Sequence, residues 1–427
     1  MKQVTVDAGK TLLVDGPASV ALASGIVEVF GFNMSGTSKI VIREGKRLPF
    51  AVREKALFNI SLGENAGLEE VDGDTIPSSW AKAHEEIRKV QARPATAVII
   101  GPIDSGKSSF CTYLANKLLI ENKKVALLDG DLGQSDIGPP CTVAYAIVKK
   151  PVTDLFNLKA ENAFFVGATS PSTSVDKTIE GICLLKEEIL KGEPDYVIVN
   201  TDGWVEGEEA VKYKAKLIEK IKPNIVFYIQ QKDELSPILN ALEGFSKIAV
   251  ESPPAIKQRS REKRKSLREL GYIKYLANAK VQSLPLSWLK IEENDFLGLG
   301  DKHGDTKQAR KIYEVLGMKP LHFAELKDKI CLVVNKTRWI TKESLKKLEE
   351  TVGKKVTLVK RGEEENLLVA LYNSERKFLG IGVLREIDFA RKTIKIFTAV
   401  SKDISTVVLG KIKLDKNFKE TPAFTEE

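Results

Sequence analysis

The feature that most constrains this chain is the run Gly101-Pro-Ile-Asp-Ser-Gly-Lys-Ser108, which fits the pattern G-x-x-x-x-G-K-[ST]. A continuous apolar run, ATAVII, precedes it, and SSFCTYLANKLLI follows with Phe110, Leu114 and Leu118 on one helical face. A strand, a glycine loop and a helix in this order surround an anion with backbone N–H groups and the positive end of a helix dipole. The sequence therefore predicts a loop that binds nucleotide phosphates.

The residue types in this loop have separate physical roles. Glycines allow the backbone to wrap around phosphate oxygens at positive φ, Lys107 bridges β- and γ-phosphate oxygens, and Ser108 offers a hydroxyl to Mg²⁺. The expected cofactor is therefore Mg²⁺ bound with the nucleotide. The expected nucleotide contacts are Gly101, Asp104, Ser105, Gly106, Lys107, Ser108 and Ser109.

Two aspartates, Asp129 and Asp131, follow the next apolar run in the order DGDLGQ. A carboxylate at the carboxyl end of a neighbouring parallel strand faces the same crevice as the phosphate loop. Side chains two positions apart point the same way while a strand lasts. One carboxylate can hold the metal shell, and the other can accept the proton of an attacking hydroxyl.

Changes in the pattern of apolar and polar residues along the chain predict three domains. Residues 1–93 contain short alternating runs separated by Gly, Asn, Ser and Asp, which predict a β-rich domain, and they end in a helical linker. Residues 94–285 alternate apolar strands with amphipathic helices, which predicts a parallel sheet covered on both faces. Residues 286–427 mix helix-like and strand-like runs and predict an α+β or mostly β domain. The fold class is therefore α/β, a P-loop parallel-sheet core with two flanking domains.

The segment from Lys257 to Arg268 holds seven basic residues and one acid. Arg261, Arg264, Lys265 and Arg268 are spaced so that they share one face of a helix. Like charges on one face repel one another unless an anion compensates them. The spacing therefore indicates an arginine lid that closes on a phosphate group and excludes water.

Composition narrows the class of protein further. The chain has 427 residues and a formal net charge of +8, a mild bias towards polyanionic partners. It has no apolar run of 18 or more residues, so no membrane partner is expected. The cysteines and histidines are scattered without the spacing of a zinc site. A cytoplasmic location is the corresponding prediction.

Five elements occur in an order that resembles the polynucleotide 5′-hydroxyl kinase family. They are the glycine loop, DGDLGQSDIGPP, GATSP (167–171), VNTDGW (199–204) and the arginine segment with YIKYL. That family includes the kinase subunit of eukaryotic mRNA 3′-end cleavage factor, nucleolar pre-rRNA kinases and archaeal relatives, which this chain resembles in length. The resemblance covers mainly residues 95–280. It implies transfer of the γ-phosphate of ATP, with GTP as an alternative donor, to the 5′-hydroxyl of an RNA end, with DNA as an alternative acceptor.

The resemblance also assigns roles to individual residues. Asp131 looks like the general base, and Asp129 like a support for the metal shell. The catalytic set so implied is Lys107, Asp131, Arg259, Arg264 and Arg268, and the acceptor-side set is Gln134, Thr169 and Trp204. In the family the N-terminal domain, including the junction here at 76–80, covers the nucleobase.

Three other functions are compatible with a phosphate loop. A dimeric ATPase or GTPase assembly factor often has a second lysine early in the loop, where this chain has Pro102 and Ile103. A guanine-specific N-K-x-D is not matched by Gln231-Lys-Asp-Glu234. A non-catalytic ATP-binding scaffold would not need Asp131 and the arginines. A small-metabolite kinase is hard to reconcile with the flanking domains.

Overall fold

The computed structural model describes residues 1–34, 36, 39–293, 306–326, 328–337 and 340–422. They form two compact units, Met1–Leu270 and the residues from Gly271 onward. In these ranges no helix is both long and apolar enough to span a bilayer.

An antiparallel sheet opens the first unit, as the alternating runs predict. Its strands are β1 (Lys2–Val6), β2 (Lys10–Asp15), β3 (Ala18–Val29), β4 (Phe32–Asn33), β5 (Lys39–Ile42), β6 (Arg47–Leu62) and β7 (Gly67–Asp72). Strand β6 pairs with β1, β2 and β3, and it buries Phe50 and Phe58 edge to face at 5.9 Å. The turn that joins β5 to β6 carries Arg43 and Lys46, which reach the central sheet, as described below.

Helices and a second sheet make up the rest of the first unit, and the last of these helices begins in this unit and ends beyond Leu270. The elements are α1 (Ser78–Lys89), β8 (Ala95–Ile100), α2 (Lys107–Ile120), β9 (Val125–Gly130), β10 (Thr142–Val148), β11 (Asn162–Phe165), α3 (Val175–Leu190), β12 (Tyr196–Thr201), α4 (Glu208–Ile221), β13 (Ile225–Tyr228), α5 (Ser236–Ala241), β14 (Lys247–Ala249) and α6 (Arg261–Tyr275). Every residue of β8, β9 and β12 is buried, as expected for strands covered on both faces.

The strand order in this sheet is β11-β10-β9-β12-β8-β13-β14. The five strands from β9 to β14 are mutually parallel, as predicted. The sheet continues beyond this parallel core at one edge, where β10 pairs antiparallel with both β9 and β11. The segment 131–141, between β9 and β10, holds no crossover helix, and an antiparallel neighbour needs none. The parallel strands end together at one edge, where residue 200 lies beside residues 99 and 129.

The second unit is α+β, one of the two alternatives that the sequence left open. It contains β15 (Lys280–Pro285), β16 (Lys290–Glu292), α7 (Thr306–Leu316), β17 (His322–Glu325), β18 (Lys329–Val334), α8 (Lys342–Val352), β19 (Lys355–Lys360), β20 (Leu367–Tyr372), β21 (Phe378–Asp388), β22 (Thr393–Thr398), β23 (Thr406–Leu414) and β24 (Glu420–Pro422). Strands β15, β16 and β20–β24 form one sheet, and β17–β19 form a small mixed one.

Candidate active site

The phosphate loop joins buried strand β8 to helix α2 in a conformation that needs its glycines. Gly106 lies just before the helix at φ +98, and a Cβ at this position would lie 2.9 Å from Cδ of Pro253. A side chain here would therefore be strained in both backbone and packing. The loop is the floor of a cavity of about 660 Å³, which is formed within the first unit.

Lys107 is the first residue of α2 and is only 6% exposed. Its Nζ donates hydrogen bonds to the carbonyl oxygens of Gly101 at 2.9 Å and Pro102 at 2.7 Å. Burial lowers the pKa of Lys107 to about 8, although nearby Asp131 acts to raise it. None of the described carboxylates forms an ion pair with this ammonium, so its charge can be compensated further by a bound phosphate.

Asp131 lies directly after β9, half-buried, on the wall of the same cavity. Its Oδ1 accepts hydrogen bonds from the backbone N–H groups of Gly133 at 3.0 Å and Gln134 at 2.9 Å. Among the described residues, none donates to Oδ2. Burial raises the pKa of this carboxyl, and Lys107 opposes the rise. One oxygen is thus fixed by the backbone while the other stays available as a proton acceptor.

Asp129, two residues earlier, has a different environment. It is fully buried, and it accepts hydrogen bonds from the backbone N–H of Asp136 at 2.7 Å and from Asn200 Nδ2 at 3.0 Å. Burial raises its pKa to about 7. Asn200 Nδ2 also lies 3.4 Å from Ser108 Oγ. Asp129 therefore reaches the phosphate loop through Asn200 and does not itself line the cavity.

The residues around Ser108 fit an Mg²⁺–nucleotide complex. Ser105 Oγ in the loop and Asn200 Oδ1 beside it are buried and have no hydrogen-bond partner in the described chain, and such groups are costly unless a ligand satisfies them. Within the described ranges no cluster of three or more His, Cys, Asp or Glu side chains could hold a metal alone. This suits Mg²⁺, which binds through few protein ligands together with substrate phosphates and water.

The three residues predicted for the acceptor side all line the cavity: Gln134, Thr169 and Trp204. Trp204 is half-buried, and its indole stacks on the ring of buried Tyr213 with centroids 5.6 Å apart. Gln134 Nε2 donates to the carbonyl oxygen of Arg264 at 3.1 Å, which connects the segment after β9 to the arginine segment.

The arginine segment forms α6 and the residues just before it, which confirms the predicted helix. Arg259, Arg264 and Arg268 line the same cavity as the phosphate loop. Arg259 and Arg264 both contact the carboxylate of Asp104 in that loop. The structure therefore brings a lysine, a carboxylate and three arginines to one cavity, where the cations can neutralise a transferring phosphoryl group.

Arg43 and Lys46 come from the β5–β6 turn and also line the cavity, although no sequence motif marks them. Arg43 contacts Asp136, and Lys46 Nζ lies 3.1 Å from the same carboxylate. Arg43 Nε donates to Asp154 at 2.5 Å. Although burial alone would raise it, Lys46 and Arg43 lower the pKa of Asp154 to about 2. These pairs hold the N-terminal sheet against the segment that carries Asp131.

The junction at 76–80 divides into two parts. Ile76 lines the cavity, as expected for a residue that covers a nucleobase. Trp80 does not, because it is fully buried, donates from Nε1 to the carbonyl of Glu251 at 2.9 Å and packs edge to face on Phe110 at 5.3 Å. Trp80 is therefore a core residue that anchors α1 on α2.

Comparison with known proteins places this site in a family. Residues 101–278 match the family model described as "mRNA cleavage and polyadenylation factor CLP1 P-loop". The chain is 30% identical over 331 residues to a polyribonucleotide 5′-hydroxyl-kinase of Pyrococcus furiosus, covering 77% of this chain and 90% of that protein. It is 29% identical over 350 residues to the kinase of the same description from Pyrococcus abyssi, covering 81% and 94%.

A solved structure agrees over nearly the whole chain. The Clp1p chain of a Clp1p–Pcf11p complex superposes with a TM-score of 0.67 over 96% of this chain and 97% of that one, at 13% identity, so the fold is shared. This confirms the predicted P-loop core with its flanking regions. Sequence identity and coverage, together with the family model across the phosphate loop and the arginine segment, show that the chain belongs to the polyribonucleotide 5′-hydroxyl-kinase family.

Proposed function

We propose that this protein transfers the γ-phosphate of ATP to the 5′-hydroxyl of an RNA end. The observation that carries the proposal is the single cavity shared by Lys107, Asp131 and the lid arginines. Phosphoryl transfer needs cations around the phosphoryl group and a base beside the attacking hydroxyl. The family relatives are named for this activity on polyribonucleotides. DNA stays an alternative acceptor and GTP an alternative donor, and a cytoplasmic location stays a prediction.

On the donor side, the loop and the start of α2 would hold the triphosphate. Lys107 would exchange its bonds to the loop carbonyls for phosphate oxygens, which restores full charge to an ammonium whose pKa burial has lowered. Mg²⁺, held by Ser108 and phosphate oxygens, would neutralise developing charge when bound. Asp129 would act by orienting Asn200 beside Ser108.

On the acceptor side, Asp131 would take the proton of the 5′-hydroxyl. Its Oδ2 is available, and burial has already raised the pKa of the carboxyl towards that of an effective base. Trp204 would present one indole face to the terminal base, because Tyr213 occupies the other. Stacking contributes about 1–3 kcal/mol per base and tolerates any sequence, which suits an enzyme that acts on RNA ends in general.

The arginine lid would complete the site over the γ-phosphate. Arg264 and Arg268 face the cavity from α6, and Gln134 joins the segment after β9 to Arg264. A closed lid excludes water, which suppresses hydrolysis of ATP in favour of transfer to the hydroxyl. No observation in the described chain favours the assembly ATPase or the scaffold over this reaction.

The substitution Asp131→Asn tests the proposal with γ-labelled ATP and a 5′-hydroxyl oligoribonucleotide. Asn keeps an oxygen for the backbone N–H groups of Gly133 and Gln134 but cannot take a proton. We expect kcat to fall by about 10²–10⁴ with little change in the KM for ATP. Asp176→Asn, at an exposed carboxylate on α3, is the matched control and should label the oligonucleotide like the unmodified protein.

Other outcomes separate the alternatives. Label that appears only in free phosphate supports an ATPase, and ATP retention without turnover supports a scaffold. Equal labelling by Asp131→Asn and Asp176→Asn would remove the base role from Asp131.

A further inference from the structure

Asp104 is an acid inside a loop built to bind a polyanion. It occupies the fourth position of the loop and adopts φ +55, in the left-handed region that Asp tolerates better than most residues. Its side chain is only 12% exposed. A carboxylate at this place repels nucleotide phosphates unless cations neutralise it, so its presence needs an explanation other than phosphate binding.

The contacts of Asp104 supply that explanation. Oδ2 accepts a hydrogen bond from the backbone N–H of Arg259 at 3.0 Å and lies 3.3 Å from Nη1 of Arg264. Oδ1 lies 3.5 Å from Nη1 of Arg259. The two arginine side chains are 20% and 23% exposed, so these are partly desolvated ion pairs that solvent screens less than surface pairs.

We propose that Asp104 is a positioning residue that holds Arg259 and Arg264 over the phosphate loop before the nucleotide binds. The proposal rests on the proposed kinase function and adds an element of preorganisation to it. Without a counter-ion, the cluster of basic residues in this segment would repel itself and leave the loop. With Asp104, the arginines are aligned in advance and less ordering entropy is lost when the γ-phosphate arrives.

The two arginines differ in what the protein leaves them to bind. Arg259 donates from Nε at 3.1 Å and from Nη2 at 2.8 Å to the carbonyl oxygen of Gly45 in the β5–β6 turn, in addition to Asp104. Arg264 uses Nη1 for Asp104 and the carbonyl of Arg259. In the described chain its Nε and Nη2 have no acceptor. Arg259 therefore anchors the lid to the β5–β6 turn and to the phosphate loop. Arg264 is the arginine that offers donors to a phosphate.

The first test compares Asp104→Asn with a matched control, Glu209→Gln, at an exposed carboxylate on α4. Asn also tolerates positive φ, so the loop keeps its shape and loses only the charge. We expect Asp104→Asn to lower kcat about tenfold or more. The KM for ATP should stay equal or fall, because a negative charge near the phosphates is gone. A loop that had merely lost its structure would raise KM as well.

A double-mutant cycle shows whether Asp104 acts through the arginines. In an Arg264→Gln background, adding Asp104→Asn should change kcat by less than about threefold, because the arginine that offers donors to the phosphate is already absent, although Arg259 still contacts Asp104. Full additivity of the two substitutions, or unchanged kcat in the single variant Asp104→Asn, would overturn the proposal.

Limited trypsin digestion tests the lid without any kinase activity. The bonds after Arg259 and Arg264 should be cleaved about tenfold faster or more in nucleotide-free Asp104→Asn than in the unmodified protein, because the held lid is a poor protease substrate. Equal cleavage rates would reject the positioning role. If the unmodified protein labels no oligonucleotide but the protection is lost in Asp104→Asn, the kinase proposal fails and the positioning role stands.

Discussion

Two adjacent strands of the central sheet, β8 and β12, each lead through a loop to a helix that carries a buried lysine. In the β12–α4 unit, Lys214 Nζ lies 3.0 Å from Oδ2 of Asp202 and 2.9 Å from the carbonyl of the same residue, and Tyr213 donates to that carboxylate at 2.7 Å. In the β8–α2 unit, the acceptors that the described residues offer to Lys107 Nζ are two carbonyl oxygens of its own loop.

The difference separates a structural charge from a functional one. Burying an ammonium is costly, and a paired carboxylate with further hydrogen bonds offsets that cost inside the protein. The β12–α4 pair of elements has this ion pair, so Lys214 needs nothing from a ligand. The β8–α2 pair of elements lacks one, so the cost of burying Lys107 persists until an anion binds. We infer that incomplete neutralisation at Lys107 stores binding energy for the phosphates.

The largest effect should come from Lys107→Met, which keeps the length and burial of the side chain and removes the charge. We expect kinase activity to fall by about 10³-fold or more, within the range seen when a cation that stabilises the transition state is lost from P-loop enzymes. Label transfer to a 5′-hydroxyl oligoribonucleotide measures it. Activity within tenfold of the unmodified protein would mean that this lysine does not contact the transferring phosphate.

Lys214→Met should have the next largest effect, and it should act on stability. It leaves Asp202 buried without its ion pair, which costs about 3–5 kcal/mol of unfolding free energy. Lys107→Met should have the opposite sign, a gain of up to about 2–3 kcal/mol near pH 7, because it removes a buried charge whose pKa is lowered to about 8. Urea denaturation of the two variants side by side measures both changes. Destabilisation of similar size in both would remove the distinction between the two lysines.

Part of this comparison could be predicted from the sequence. The phosphate site proposed at Gly101–Ser108 rests on backbone geometry, which depends on local residue types and on a flanking strand and helix, so a short motif suffices to predict it. The arginine lid could be predicted for the same reason, because helical spacing alone places Arg264 and Arg268 on one face. Both signals are local in the chain.

The rest depends on contacts between distant segments. Asp129 and Asp131 look alike in the sequence. Only the fold shows that both oxygens of Asp129 accept hydrogen bonds from Asn200 and backbone N–H groups, whereas Asp131 keeps one oxygen available. Arg43 comes from a different sheet and has no motif. The family resemblance placed Trp80 in the junction that covers the nucleobase, but helix α1 carries its indole into the core.

A change of pH should have the smallest effect, and it should act through Lys107. The folded pKa of Lys107 is about 8, below its ordinary value of 10.5, so the ammonium of the nucleotide-free protein loses its proton as pH rises through about 8. Because kcat/KM reports the free enzyme, kcat/KM for ATP should fall above pH 8, approaching tenfold per pH unit. Bound phosphate favours the charged ammonium, so kcat should begin to decline at a higher pH than kcat/KM does. Unfolding free energy should rise between pH 8 and 10.5, where the unfolded chain binds more protons than the folded one. If kcat and kcat/KM instead declined at the same pH, another group would control the pH dependence of binding. Lys107 would then already be fully charged before the nucleotide binds.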